Sequence, residues 1–184
     1  MTATSHIAAG VYGAWRLARR DPSGLAWIDG SVQGFWTSFW AAALVAPGFF
    51  ALQALAGSFD DGLARPLLVQ LIGYVIGWTA FPLAMAHISE GLGKWGNYTR
   101  YIAAYNWSAV VQMGAFLPVA VLAHLFPGSG TAMLDMSVTV VLLVYQAYVA
   151  HVALGVGPGT AAGIVVLDVL MGGLVQMATD RLIG

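Results

Sequence analysis

Residues 163–173 read GIVVLDVLMGG, ten apolar or glycine residues around one carboxylic acid, Asp168. How this stretch is solvated decides the fold. Inside a soluble core a lone acid needs a partner, and inside a bilayer it costs roughly 2.5–3.5 kcal/mol at a helix centre. Ile164, Val165, Val166, Leu167, Val169 and Leu170 offset that cost, so the segment still inserts. The acid must then face protein or water. On a helix, residues four and eight positions on share its side, which places Gly172 and Gln176 with Asp168 and leaves Thr179 close to the same stripe.

The rest of the chain agrees with a lipid solvent. Charged residues make up 8% of the 184, against roughly 25% in soluble domains, and that leaves too few to cover a water-exposed surface. Mean hydropathy is +0.78. A net charge of −1 gives no footprint for nucleic acid, and the absence of cysteine removes thiolate metal sites and cysteine catalysis. Each crossing needs about 20 apolar residues. Five stretches satisfy this, at roughly 35–57, 66–88, 100–124, 133–154 and 160–180. Pro66 suits a first helical turn. Turns fall at Ser58-Phe-Asp-Asp-Gly62, in the polar loop SEGLGKWGNYTR, at Phe126-Pro-Gly-Ser-Gly130 and at GVGPGT. Pro47 and Gly48 interrupt the first stretch, which leaves open a four-span reading in which it only dips into the bilayer. Proline is tolerated in membrane helices, so five spans is the reading adopted. Ala54-Leu-Ala56 looks like a cleavage box, but the polar region before it is too long for a signal peptide.

Residues 1–33 carry Arg16, Arg19 and Arg20 among Val11, Tyr12, Trp15 and Leu17. This pattern predicts a short amphipathic helix lying on the membrane surface with Trp15 at headgroup depth. Asp21-Pro-Ser-Gly24 breaks it, and Asp29 or Ser31 is placed to cap the next helix. The fold class expected is an all-α integral membrane bundle of five transmembrane helices over 34–184, preceded by this interfacial segment. Arg16, Arg19, Arg20 and Lys94 fall on one side, with Arg100 beside them, against Arg65 and Arg181 on the other. The N-terminus is accordingly expected in the cytoplasm of a bacterial cell, the C-terminus outside its inner membrane.

The chemistry-bearing residues are few. Asp168 is the first candidate for an intramembrane ion or proton site, with Asn106, Tyr105, Gln146, Gln176 and His151 as possible partners. The plainer reading is an acid that hydrogen-bonds the bundle together. His87 and Glu90 share a helical face near one membrane surface, and His151 lies at similar depth. This set could hold a metal or a haem, but its loose spacing matches no ligand motif, so no metal or cofactor is expected. GVGPGT and GLGKWGN lack the Lys-Ser/Thr pair of a phosphate loop and read as turns. Gly73 with Gly77, and Gly159 with Gly163, are small-residue pairs that permit close packing within the bundle or between copies. Tyr105, Ser108 and Gln112 share one face, as do Thr139 and Gln146; Gln53 and Gln70 are further polar residues in spans. No nucleophile with a matching base, and no pair of close acids, supports an enzyme.

With GAWRLARRDPSGLAWID ahead of five clustered spans, short loops, and the tyrosine-rich YIAAYNW in the third span, the layout resembles the Yip family of small membrane proteins. The resemblance implies a cytoplasmic N-terminal segment and a non-enzymatic bacterial membrane protein that works through partners; it carries over no functional residue. Three functions are expected from these readings. The first is a structural or scaffolding component that forms a homo-oligomer or joins a larger membrane complex. The second is a small transporter or channel using Asp168. The third is a metal- or haem-binding subunit.

Overall fold

The computed structural model describes residues 3–60 and 62–183, so Asp61 of the expected two-acid turn lies outside the described residues. Among them every regular element is helical: α1 (Ala3–Ala18), a 3₁₀ turn (Pro22–Trp27), α2 (Val32–Ser38), α3 (Trp40–Leu55), α4 (Ala64–Gly91), α5 (Tyr98–Leu125), α6 (Ser129–Ala150) and α7 (Pro158–Ile183). Five helical stretches are long and apolar enough to cross a membrane: Val32–Leu55, Ala64–Gly91, Trp95–Leu125, Ser129–Gly155 and Pro158–Ile183. These are the five stretches expected from the sequence. The first is two helices, α2 and α3, meeting at Phe39. Pro47 lies inside α3 without ending it.

The expected amphipathic helix is α1, and its apolar face packs on the bundle. Gly10, Gly13, Ala14 and Leu17 recur at helical spacing and are buried, while Tyr12 and Trp15 on the opposite side are exposed. The buried face is covered by protein rather than by headgroups: α1 packs on α5, and the Tyr145 hydroxyl of α6 donates to Ala14 O at 2.8 Å. Small residues make this approach possible, since a Cβ on Gly10 would run into the Trp107 ring of α5. Arg20, in left-handed backbone at φ 59°, turns the chain back. Gly13 then meets Gly24 of the 3₁₀ turn so closely that a Cβ on Gly13 would stand 2.7 Å from Gly24 O.

Polar caps hold this end of the molecule. Asp21 accepts from Ser23 N–H at 3.0 Å and from the Arg16 guanidinium at 2.5 Å. The Ser23 hydroxyl and the Arg16 charge hold the Asp21 carboxyl below the usual range. Both predicted caps of α2 are used. Ser31 Oγ accepts from Gly34 N–H at 3.1 Å, and Asp29 accepts from Ser31 N–H at 2.9 Å, which holds Asp29 low as well. Where α2 ends, the buried Ser38 hydroxyl receives Asn106 Nδ2 of α5 at 2.8 Å. Asn106 thus steadies the α2–α3 break and is not a partner of Asp168.

The last turn of α6 widens into a π-helical segment, His151–Gly155, which frees backbone carbonyls. Asn97 Nδ2 reaches Leu154 O at 2.9 Å and Arg100 Nε reaches Ala153 O at 3.4 Å. His151 Nδ1 lies 2.6 Å from Val156 O, so this histidine too is spent on the turn rather than on Asp168. Helix α5 is the hub, packing against α1, α2, α3 and α6, whereas α4 packs mainly on α7. Helix α4 therefore stands partly apart from the hub, held mainly by α7, which also packs on α6, and a space is left between them.

Candidate functional site: an interhelical cavity ending at Asp168

Helices α4 and α7 run antiparallel. Their register is fixed by Arg65, whose guanidinium donates to Leu182 O at 2.7 Å, and by Gly73, which abuts Thr179 and Val175. Gly73 is thus used as a small-residue contact, as expected. Its neighbour Gly77 is not: no atom lies within 4 Å of where a Cβ would stand, and the same holds for Gly172 across the seam and for Gly159 and Gly163. Gly77 and Gly172 instead border a cavity of about 330 Å³ between the α4–α7 pair and helices α3 and α5.

One end of the cavity is Asp168. Tyr105 of α5 donates its hydroxyl to Oδ1 at 2.9 Å, and Gln146 of α6 donates Nε2 to Oδ2. The acid therefore ties α5, α6 and α7 together through two neutral donors. It has no cationic partner: among the described residues the one ion pair is Arg16–Asp21 at the molecule's surface. The stripe expected from helical spacing is present, since Gly172, Gln176 and Thr179 line the same cavity as Asp168.

The other end is a glutamine cluster. Gln53 Nε2 of α3 donates to Gln70 Oε1 of α4 at 2.7 Å and to Gln176 Oε1 of α7 at 3.3 Å. Gln176 in turn donates to Asp180 at 2.8 Å near the end of α7. Gln70 is 1% exposed and borders the cavity, yet its Nε2 has no hydrogen-bond partner. A buried amide donor left unpaired costs about 1–3 kcal/mol, so this group asks for an acceptor. Sequence reasoning placed Gln53 and Gln70 among polar span residues but did not join them. The signal was there: they lie 17 positions apart on either side of one tight turn, which puts them at equal depth on antiparallel helices.

Between the two ends the wall is aromatic and apolar. Phe49 stacks against Tyr74 with ring centroids 4.7 Å apart, and Phe81 lies against Tyr105 at 4.5 Å. Trp78 borders the cavity beside Tyr74. Tyr74 is anchored by its hydroxyl, which donates to Ala42 O at 2.6 Å in the turn before Pro47. The space is apolar along its length with a few polar groups at set positions, the make-up common to ligand pockets.

The remaining sequence candidates lie elsewhere. His87 is exposed, with Nδ1 3.2 Å from Leu83 O of its own helix. Glu90 is exposed as well. His87, Glu90 and His151 are not brought together, and among the described residues no group of three His, Cys, Asp or Glu could hold a metal ion. Ser108 donates to Tyr105 O at 2.7 Å and Gln112 to Ser108 at 3.3 Å, so that shared face closes on itself. Thr139 is exposed while Gln146 is buried. No protein-family model matches the chain, and no curated protein or solved structure matches it significantly.

Proposed function

We propose that this chain is a non-catalytic multi-pass protein of the bacterial inner membrane that takes a small solute or ion into the cavity ending at Asp168. The observation that carries the reading is the cavity itself. A 330 Å³ space reaches a membrane-depth carboxylate that has no counter-charge of its own. An acid at membrane depth is costly, and where it faces a cavity it typically marks a solute or ion path. The concentration of arginine and lysine near α1 and the α4–α5 loop supports a cytoplasmic N-terminus. The glutamine end of the cavity then lies in the exoplasmic half, and solute enters from that side.

Cysteine chemistry tests this cleanly because the chain has none. In Gly172→Cys, a membrane-impermeant, charged thiol reagent is expected to label position 172 from the exoplasmic side of membrane vesicles. A thiol that reacts only with lipid-soluble reagents would sink the reading.

One observation favours a second function, that of a structural component in a membrane assembly. Both carboxylate oxygens of Asp168 are already occupied by helix-bridging donors, which is what a packing clamp requires. The two readings separate at Asp168→Asn. A clamp loses stability or assembly there, whereas a solute site keeps its fold and loses its solute.

A further inference from the structure

Resting on the solute-pocket reading, we infer that the ligand is a lipophilic organic amine.

Asp168 accepts on both oxygens from neutral donors and lacks a cation, so what it wants from the cavity is positive charge.

The wall decides between an inorganic and an organic cation. A bare metal ion needs several oxygens to replace its hydration shell. Beyond Asp168 and Tyr105 the middle of the cavity offers Phe49, Trp78, Phe81 and the bare backbones of Gly77 and Gly172. Aromatic faces attract an ammonium group, and the apolar stretch welcomes a hydrocarbon body. The volume, 330 Å³, lies at the small end of ligand sites.

The test uses the full chain in nanodiscs of neutral phosphatidylcholine, with empty discs as baseline. Two probes are titrated by calorimetry: octylamine, and octanol without the charge. The amine is expected to bind at least tenfold tighter than the neutral alcohol, as a charge-assisted contact supplies. Asp168→Asn should erase that advantage. Gly172→Leu, which meets nothing within 4 Å at its Cβ, should keep the melting temperature and abolish binding of both probes. Equal binding of amine and alcohol, or amine affinity unchanged in Asp168→Asn, overturns the inference. So does stabilisation by sodium chloride without any effect of the amine. If the Gly172→Cys thiol is labelled yet no amine binds, the ligand class is wrong and the pocket reading stands. If it is not labelled, the pocket reading itself has failed.

Discussion

In the N-terminal face, glycine brings backbones together; at the α4–α7 seam, beyond the Gly73 contact, it leaves side chains apart. Gly13 and Gly24 touch across the α1 turn, and Gly34 sits so close to Asp29 that a Cβ would overlap the Asp29 carbonyl. At the seam, Gly77 and Gly172 meet nothing, and the volume their missing side chains leave is part of the cavity. Polar groups follow the same division. Around α1 the capping hydrogen bonds run from backbone N–H groups to nearby side chains, at Asp21, Asp29 and Ser31. Around the cavity they run between helices far apart in sequence, at Tyr105–Asp168 and Gln53–Gln70, and one donor is left over. One region is closed and locally determined. The other is open and depends on how distant helices dock.

If that contrast is right, substitution at the closed face should cost most. Gly24→Val drives a branched side chain into Gly13 O and the Leu17 and Arg16 side chains. Backbone cannot yield as a side-chain end can, so a loss of about 3 kcal/mol is expected, the upper part of the range for overpacking. Thermal unfolding in detergent measures it, and exposure of α1 to protease should rise with it. An unchanged melting temperature would mean that α1 is not held on the bundle as described.

A smaller loss tests the same docking from the other partner. Tyr145→Phe removes the hydroxyl that donates to Ala14 O at 2.8 Å and leaves the ring in place. The expected cost is about 1 kcal/mol, the net worth of one hydrogen bond. Combined with Gly24→Val it should add less than its full value, because both act on one docked element.

The open seam should respond with the opposite sign. Gly172→Ala puts a methyl into empty space on a helix interior, where glycine costs roughly 0.5–1 kcal/mol relative to alanine. A slight gain in stability is expected, with some loss of solute affinity because the cavity shrinks. A destabilised Gly172→Ala would show that the seam is packed more tightly than the structure has it.

The closed region and the open one were also unequally legible in the sequence. The five long apolar helices follow from uninterrupted apolar length, and local composition suffices for that. The caps at Asp29 and Ser31 follow from residue type and position. Asp168 with Tyr105 and Gln146 was within reach, because depth along antiparallel spans places all three at one level. Depth did not choose between Tyr105 and its neighbour Asn106: about 100° of helical turn separates them, and Asn106 went to Ser38. The amphipathic pattern of α1 announced a buried face without saying whether lipid or protein would cover it. The small residues Gly10, Gly13 and Ala14 were the overlooked sign, since lipid does not require them. The cavity was illegible for a plainer reason. It is made of side chains that are absent on two helices nearly a hundred residues apart, and no local pattern records that coincidence.

The smallest effect belongs to the exposed turn at Asp21, where solvent weakens every charge. Ser23 and Arg16 hold this carboxyl below its ordinary value near 3.8, with Ser23 the larger influence. A depressed acid contributes its stabilisation above the ordinary value and loses it as pH falls through the lowered one. The turn should therefore stay closed through the usual aspartate range and loosen only in stronger acid. The Ser23 amide, which donates to Asp21 Oδ1 at 3.0 Å, reports this directly in an NMR titration of the detergent-solubilised chain. Its shift should titrate below the ordinary aspartate value, and Asp21→Asn should flatten the curve. A midpoint at or above that value would mean that Ser23 and Arg16 do not grip the carboxylate in solution, and the closed face would lose the most exposed of its caps while its glycine contacts stood.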